Sequence, residues 1–239
     1  MRRVFLLALI LACAVFPWKR GDATERLGVI PESLLRDSTS QEIREVVEGA
    51  SYVGEKKGVI FKGHRAVYEY LLNHLDFASQ LGRVLDLSDY AVEQTGARGY
   101  EATTPRGGWA HLQVIYAEGE KRVVLARGRY GRAVVVLDYT SFNREGESYI
   151  LSDLYGYVRA DNPILDLLLG LFGGILSHRV NKIFSSVAEL SERAYTAPAT
   201  FYAELLRHPE LPAHHRLEFA EILNRASHGE ARAFYVSPT

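Results

Sequence analysis

The segment "RAVVVLDYTSFNREGESYILSDLYGYVRA", Arg132–Ala160, decides the architecture. Its first third alternates in the two-residue rhythm of a strand, with Ala133, Val135, Leu137 and Tyr139 on one face and Asp138 and Thr140 on the other. "NREGES" supplies turn chemistry, and "YILSDLYGYVRA" returns as an antiparallel partner. Upstream, "GGWAHLQVIYAEGEKRVVLARGRYG" repeats the pattern. Trp109 to Ala117 pairs with Arg122 to Gly128 across "EGEK", and alternation places Leu112, Val114 and Tyr116 on one face. With short segments in "DLSDYAVEQTGARGYEATTP", these runs predict one antiparallel meander of six to seven strands.

Before the meander, "KKGVIFKGHRAVYEYLLNHLDFASQLGRVL" changes period. Lys57, Val59 and Phe61 share one side of a strand and Ile60 takes the other. From His64 the spacing turns helical through Val67, Tyr68, Leu71, Leu72 and Leu75, and a second short helix follows over Phe77 to Leu81. Further upstream, "RDSTSQEIREVVEG" sets Thr39 and Glu42 at capping-box spacing before a narrow stripe of Ile43, Val46 and Val47. A short helix that docks on the body is expected.

After the meander, Asp161 or Asn162 caps and Pro163 opens a helix running to about Tyr195. From Leu176 onward it is amphipathic: Leu176, Val180, Ile183, Val187 and Leu190 form a stripe, and Glu189 and Glu192 lie off it. Before Leu176, "NPILDLLLGLFGGIL" is apolar nearly all round. It is too short for a membrane span, which needs about 20 apolar residues. Gly170, Gly173 and Gly174 weaken a helix by roughly 1 kcal/mol each against alanine. Three readings are open: a pocket-lining surface carrying Leu168, Phe172 and Ile175, a helix buried by the segments that follow, or membrane contact. Residues 198–239 add two helices, "APATFYAELLRH" and "PAHHRLEFAEILNR", read as an appendage packed on the body.

The order of one strand, a helix pair, a meander and a long final helix resembles the helix-grip fold of the START-like superfamily. That superfamily includes polyketide cyclases, pathogenesis-related allergens and lipid-transfer domains. The resemblance spans about Ser51 to Tyr195 and is topological, so no catalytic residue transfers by position. It implies an α+β fold in which a curved antiparallel sheet wraps around the long helix, with extra C-terminal helices here. It also implies an internal cavity for a lipid or other hydrophobic small molecule. Trp109, Tyr116, Tyr139 and Tyr155, with Leu168, Phe172 and Ile175, are the pocket-lining candidates.

The N-terminus, "MRRVFLLALILACAVFPWKRGDA", has the layout of a secretory signal: Arg2 and Arg3, then an apolar Val4–Ala12 run, then small residues. "ILAC" resembles a bacterial lipobox that would lipidate Cys13 and anchor the chain to a membrane, whereas "ACA" suits ordinary cleavage after Ala14. The expected organisation is a signal at 1–14, a lead-in at 15–50, the START-like domain at 51–195 and the helical appendage at 196–239, in an exported, periplasmic or membrane-anchored protein.

With 28 basic and 29 acidic residues among 239, the chain lacks the basic excess of a nucleic-acid binder. Cys13 is its one cysteine, so no intramolecular disulfide forms. The sequence shows no HExxH, phosphate loop, nucleophile elbow or dinucleotide fingerprint. No cofactor and no metal are therefore expected. The reading is a non-enzymatic binding module. The alternatives are a cyclase- or hydrolase-type enzyme using the same pocket, with His111 and Asp138 as its polar groups, or a structural or interaction lipoprotein.

Overall fold

A computed structural model describes residues 26–105, 107–162 and 184–233, with side chains to residue 227. The signal segment with Cys13, and the apolar stretch with Leu168, Gly170, Phe172, Gly173, Gly174 and Ile175, lie outside the described residues. The elements in chain order are α1 (Ser40–Glu48), β1 (Tyr52–Lys62), α2 (Arg65–Asn73), α3 (Leu75–Val84), β2 (Ala91–Gln94), β3 (Gly99–Thr103), β4 (Trp109–Glu118), β5 (Lys121–Gly128), β6 (Gly131–Arg144) and β7 (Glu147–Ala160). Helix α4 follows over residues 184–196, then α5 (Pro198–Arg207) and α6 (Ala213–Ala233).

The seven strands form one sheet in the order β1-β7-β6-β5-β4-β3-β2, with every pairing antiparallel. The helix pair between β1 and β2 lets the chain cross from one edge of the sheet to the other. Each later hairpin then adds its next neighbour, until β7 closes on β1. This is the helix-grip α+β topology that the resemblance implies. The opening hairpin is tighter than expected: β6 and β7 run to Arg144 and Glu147 around Glu145 and Gly146, whose φ values are 55° and 80°. Two left-handed central residues match the twist of the flanking strands. At the other end of this pair, a Cβ on Gly131 would collide with the Arg159 carbonyl oxygen, so glycine permits the close approach.

One face of the sheet carries α2, α3, α4, α5 and α6. Val124, Val135, Leu137, Tyr139, Ile150 and Leu154 point to it and share a core with Tyr68 and Leu71 of α2, Phe77 and Leu81 of α3, and Val187 and Leu190 of α4. Glu189 and Glu192 are exposed, as the stripe requires. Phe201, Leu205, Phe219 and Leu223 belong to this same core. The C-terminal helices thus pack on the body through faces that join its core, while Tyr202, Leu206 and Leu217 stay exposed.

The opposite face is also covered. Ile43, Val46 and Val47 of α1, with Ile30 and Leu34, pack on Val123, Leu125, Val134, Val136 and Tyr157. This explains why "VVL" in β5 and "VVVL" in β6 are continuous apolar runs. A strand buried on both sides loses the polar half of its alternation. The lead-in is a third layer, held by ion pairs at its edge. Arg127 grips Glu42 with both ends of its guanidinium, at 2.9 and 2.6 Å, and Arg132 approaches Glu45 at 3.4 Å. Glu42 therefore does not complete the expected capping box, and Thr39 makes no side-chain cap bond.

The Arg127 hydrogen bond, reinforced by the charges of Arg127 and Arg132, holds the Glu42 carboxyl below its ordinary 4.5. A depressed carboxylate contributes stability that is present above the unfolded value and lost as pH falls through the folded one. Acidification below about pH 4.5 is expected to weaken α1 docking, and Glu42→Gln should flatten that part of the acid limb. Urea midpoints of both proteins across pH 3 to 7 check this. Parallel acid limbs would contradict it.

Candidate functional site

Strand alternation and two bulges decide which side chains meet on the helix face. Leu112, Ala126, Ala133 and Val158 stand side by side in register across β4, β5, β6 and β7. The same face brings Ala102 of β3 opposite Ala110 of β4. All six are half-buried, unlike the deeper row of Val124, Val135 and Leu137, which the helices cover. Four strands at about 4.8 Å spacing make a floor roughly 14 Å wide. Small side chains keep it low and apolar, and the chain leaves the sheet beside it, where Ala160 pairs with Gly131.

The far end of this face is closed by polar contacts. Tyr139 is 3% exposed and stands edge-on to Tyr68, with ring centroids 5.3 Å apart. Its hydroxyl donates to Glu69 Oε1 at 3.1 Å, and burial, followed by the opposing effects of Arg122 and Glu69, leaves its pKa pushed up to about 12. It is a protonated donor at neutral pH. The Arg122 guanidinium lies 5.6 Å from the Tyr139 ring centroid and donates to the carbonyls of Gly119 and Lys121. These contacts pin the β4–β5 turn to α2.

The other aromatic candidates do not gather around the floor. Trp109 is 51% exposed at the start of β4. Tyr116 lies on the α1 face because a bulge at Ile115 breaks the pairing between Val114 and Tyr116 and inverts the alternation that Leu112 and Val114 begin. Tyr155 packs on the α1 side too, with the Lys57 ammonium 5.2 Å from its ring centroid. A second bulge, between Lys56 and Val59 where Gly58 has φ 69°, likewise separates Lys57 from Val59 and Phe61, which face the helices.

His111 and Asp138 also face the α1 side. His111 is adjacent to Leu112 in a strand whose Leu112 and Val114 take the helix side, and Asp138 pairs with Lys121 at 3.0 Å. Neither group can serve chemistry over the floor. In "RGRYGR", Arg127 and Arg132 bind the lead-in acids, while Arg129 lies over the Tyr130 ring.

A second constellation escaped the sequence reading. His74 is both the last cap of α2 and the first cap of α3, so its ring projects from the break between them. There it meets His215 of α6, with ring centroids 4.6 Å apart. The Tyr70 hydroxyl lies 2.8 Å from His215 Nδ1 and donates to Glu218 Oε2 at 2.9 Å. Asp76 Oδ2 is 3.9 Å from His215 Nε2. Burial is the main cause that pushes both imidazoles below their ordinary pKa. No sequence motif joins these residues; folding of α6 onto α2 does.

Among the described residues no helix is long and apolar enough to cross a membrane. No protein-family model and no curated protein matches the sequence. Solved structures with a similar fold do exist. A conserved protein from Geobacillus kaustophilus is 19% identical with a TM-score of 0.43, over 60% of this chain and 97% of that one. Truncated norcoclaurine synthase from Thalictrum flavum is 12% identical with a TM-score of 0.42, over 58% and 92%. A START superfamily protein from Mycobacterium smegmatis is 11% identical with a TM-score of 0.40, over 58% and 98%. At these identities the likeness concerns the fold alone.

Proposed function

We propose that this chain is a non-enzymatic binding module that holds a lipid or other hydrophobic small molecule over the Leu112–Ala126–Ala133–Val158 floor. The observation that carries the reading is the floor itself: a row of half-buried, mostly small apolar side chains on the face where β5 to β7 otherwise build the core. An apolar ligand seated there removes surface from water at about 25 cal/mol per Å². The apolar character of the stretch that follows β7 in the sequence is the ground for including Leu168, Phe172 and Ile175 among the proposed ligand contacts. The titratable groups His111 and Asp138 point away, which favours holding a ligand over transforming it.

An anilinonaphthalene sulfonate dye is expected to bind the wild-type protein and to be displaced by a long-chain fatty acid. Ala133→Trp fills the row from its middle and should reduce dye affinity at least about tenfold, the equivalent of 1.4 kcal/mol. Circular dichroism must show the variant folded. Unchanged binding by a folded Ala133→Trp protein would remove the floor from the account.

The reading includes export. Arg2, Arg3 and the Val4–Ala12 run support removal of the N-terminal segment, with Cys13 as the lipid-anchored first residue or with cleavage after Ala14. The intact mass of the protein recovered from its host distinguishes a diacyl adduct on Cys13 from a plain Val15 N-terminus. An unprocessed Met1 would refute export.

A further inference from the structure

We propose that His74, His215 and Glu218 form a binding site for one divalent transition-metal ion of the zinc type, which fastens the start of α6 to the α2–α3 junction. One donor atom from each of these three residues lies within 4.8 Å of the others. Two imidazoles and one carboxylate are the donors that borderline ions such as zinc select, whereas calcium and magnesium prefer all-oxygen shells. Zinc bonds of about 2.0–2.2 Å set tetrahedral donors roughly 3.4 Å apart, so the cluster needs to contract by about 1.4 Å at most. The exposed Glu218 side chain can make that movement by turning about its Tyr70 hydrogen bond, while the buried His215 is held in place.

The placement has the logic of a built site. His215 and Glu218 lie three residues apart, on one face of α6. His74 comes from the break between α2 and α3, where its ring packs between Tyr70 of α2, at a centroid distance of 4.4 Å, and His215 of α6, at 4.6 Å. His215 meets the Tyr70 hydroxyl on one ring nitrogen and the Asp76 carboxylate near the other. The Tyr70 hydroxyl on Nδ1 orients the ring and leaves Nε2 for a metal, an arrangement common among metal-ligating histidines. The site shares no residue with the apolar floor, so either proposal can fail without the other.

The test uses the full mature chain stripped of metal with a chelator. Zinc chloride is titrated in competition with a chromophoric chelator, and thermal midpoints are read with and without zinc. One zinc ion per chain and a higher midpoint are expected, with magnesium chloride giving neither. His74→Gln and Glu218→Gln should each weaken zinc at least about tenfold and abolish the midpoint rise. Glu218 is exposed, so its variant should fold as the wild type does without metal. His208→Gln, a histidine paired with Glu210 outside the cluster, should change nothing. Absence of zinc binding by the wild type, or equal zinc binding by Glu218→Gln, His74→Gln and wild type, would overturn the proposal.

Discussion

Phe219→Ala is expected to destabilise the protein by about 3–5 kcal/mol, the range for deleting a buried aromatic ring. Phe219 is 0% exposed although it lies on the last helix. Its ring packs against Tyr70, Phe77 and Phe201 at centroid distances of 5.4, 5.5 and 6.0 Å, so one side chain joins α6 to α2, α3 and α5. Removing it leaves a cavity at the junction of four helices, and rigid neighbours on all sides limit collapse. Equilibrium urea unfolding measures the loss. A change under about 1 kcal/mol, the scale of a surface substitution, would contradict a core shared between α5, α6 and the body.

The second large effect is on the other side of the sheet. Ile43→Ala is expected to cost about 2–5 kcal/mol. Ile43 is 0% exposed and occupies the centre of the stripe that seats α1 on Val123, Leu125, Val134 and Val136. Those four valine and leucine side chains would face water if α1 left. The substitution should therefore lower the unfolding midpoint and raise hydrogen exchange at β5 and β6 amides, at the centre of the sheet. If Ile43→Ala left both unchanged, the lead-in would be a loose tether and the two-sided burial of β5 and β6 would have another cause.

Much of the fold was legible because hairpins write themselves locally. Alternation in Ala133–Tyr139, turn residues at Glu145 and Gly146, and the change to helical spacing at His64 are read within a few residues of where they act. Facing was harder to read. A single inserted residue at Ile115 turns Tyr116 to the opposite side, and nothing in "VIY" marks the insertion, since valine, isoleucine and tyrosine are all good strand formers. The continuous runs in β5 and β6 did carry a signal of burial on both faces, and they point to a covering layer that the narrow stripe of α1 supplies. The histidine cluster had no local signature at all. His74 and His215 meet only because Phe219 and Tyr70 pack α6 on α2, a long-range event that spacing does not encode.

The central claim is that the helix face of the sheet holds an apolar molecule above Ala126 and Ala133. Native mass spectrometry of the protein recovered from its host, under conditions that preserve non-covalent complexes, tests it most directly. The account predicts an adduct of discrete mass that is extractable into organic solvent and is missing from a folded Ala133→Trp protein prepared in parallel. A wild-type spectrum with the bare chain mass alone, or an adduct retained equally by Ala133→Trp, would contradict it.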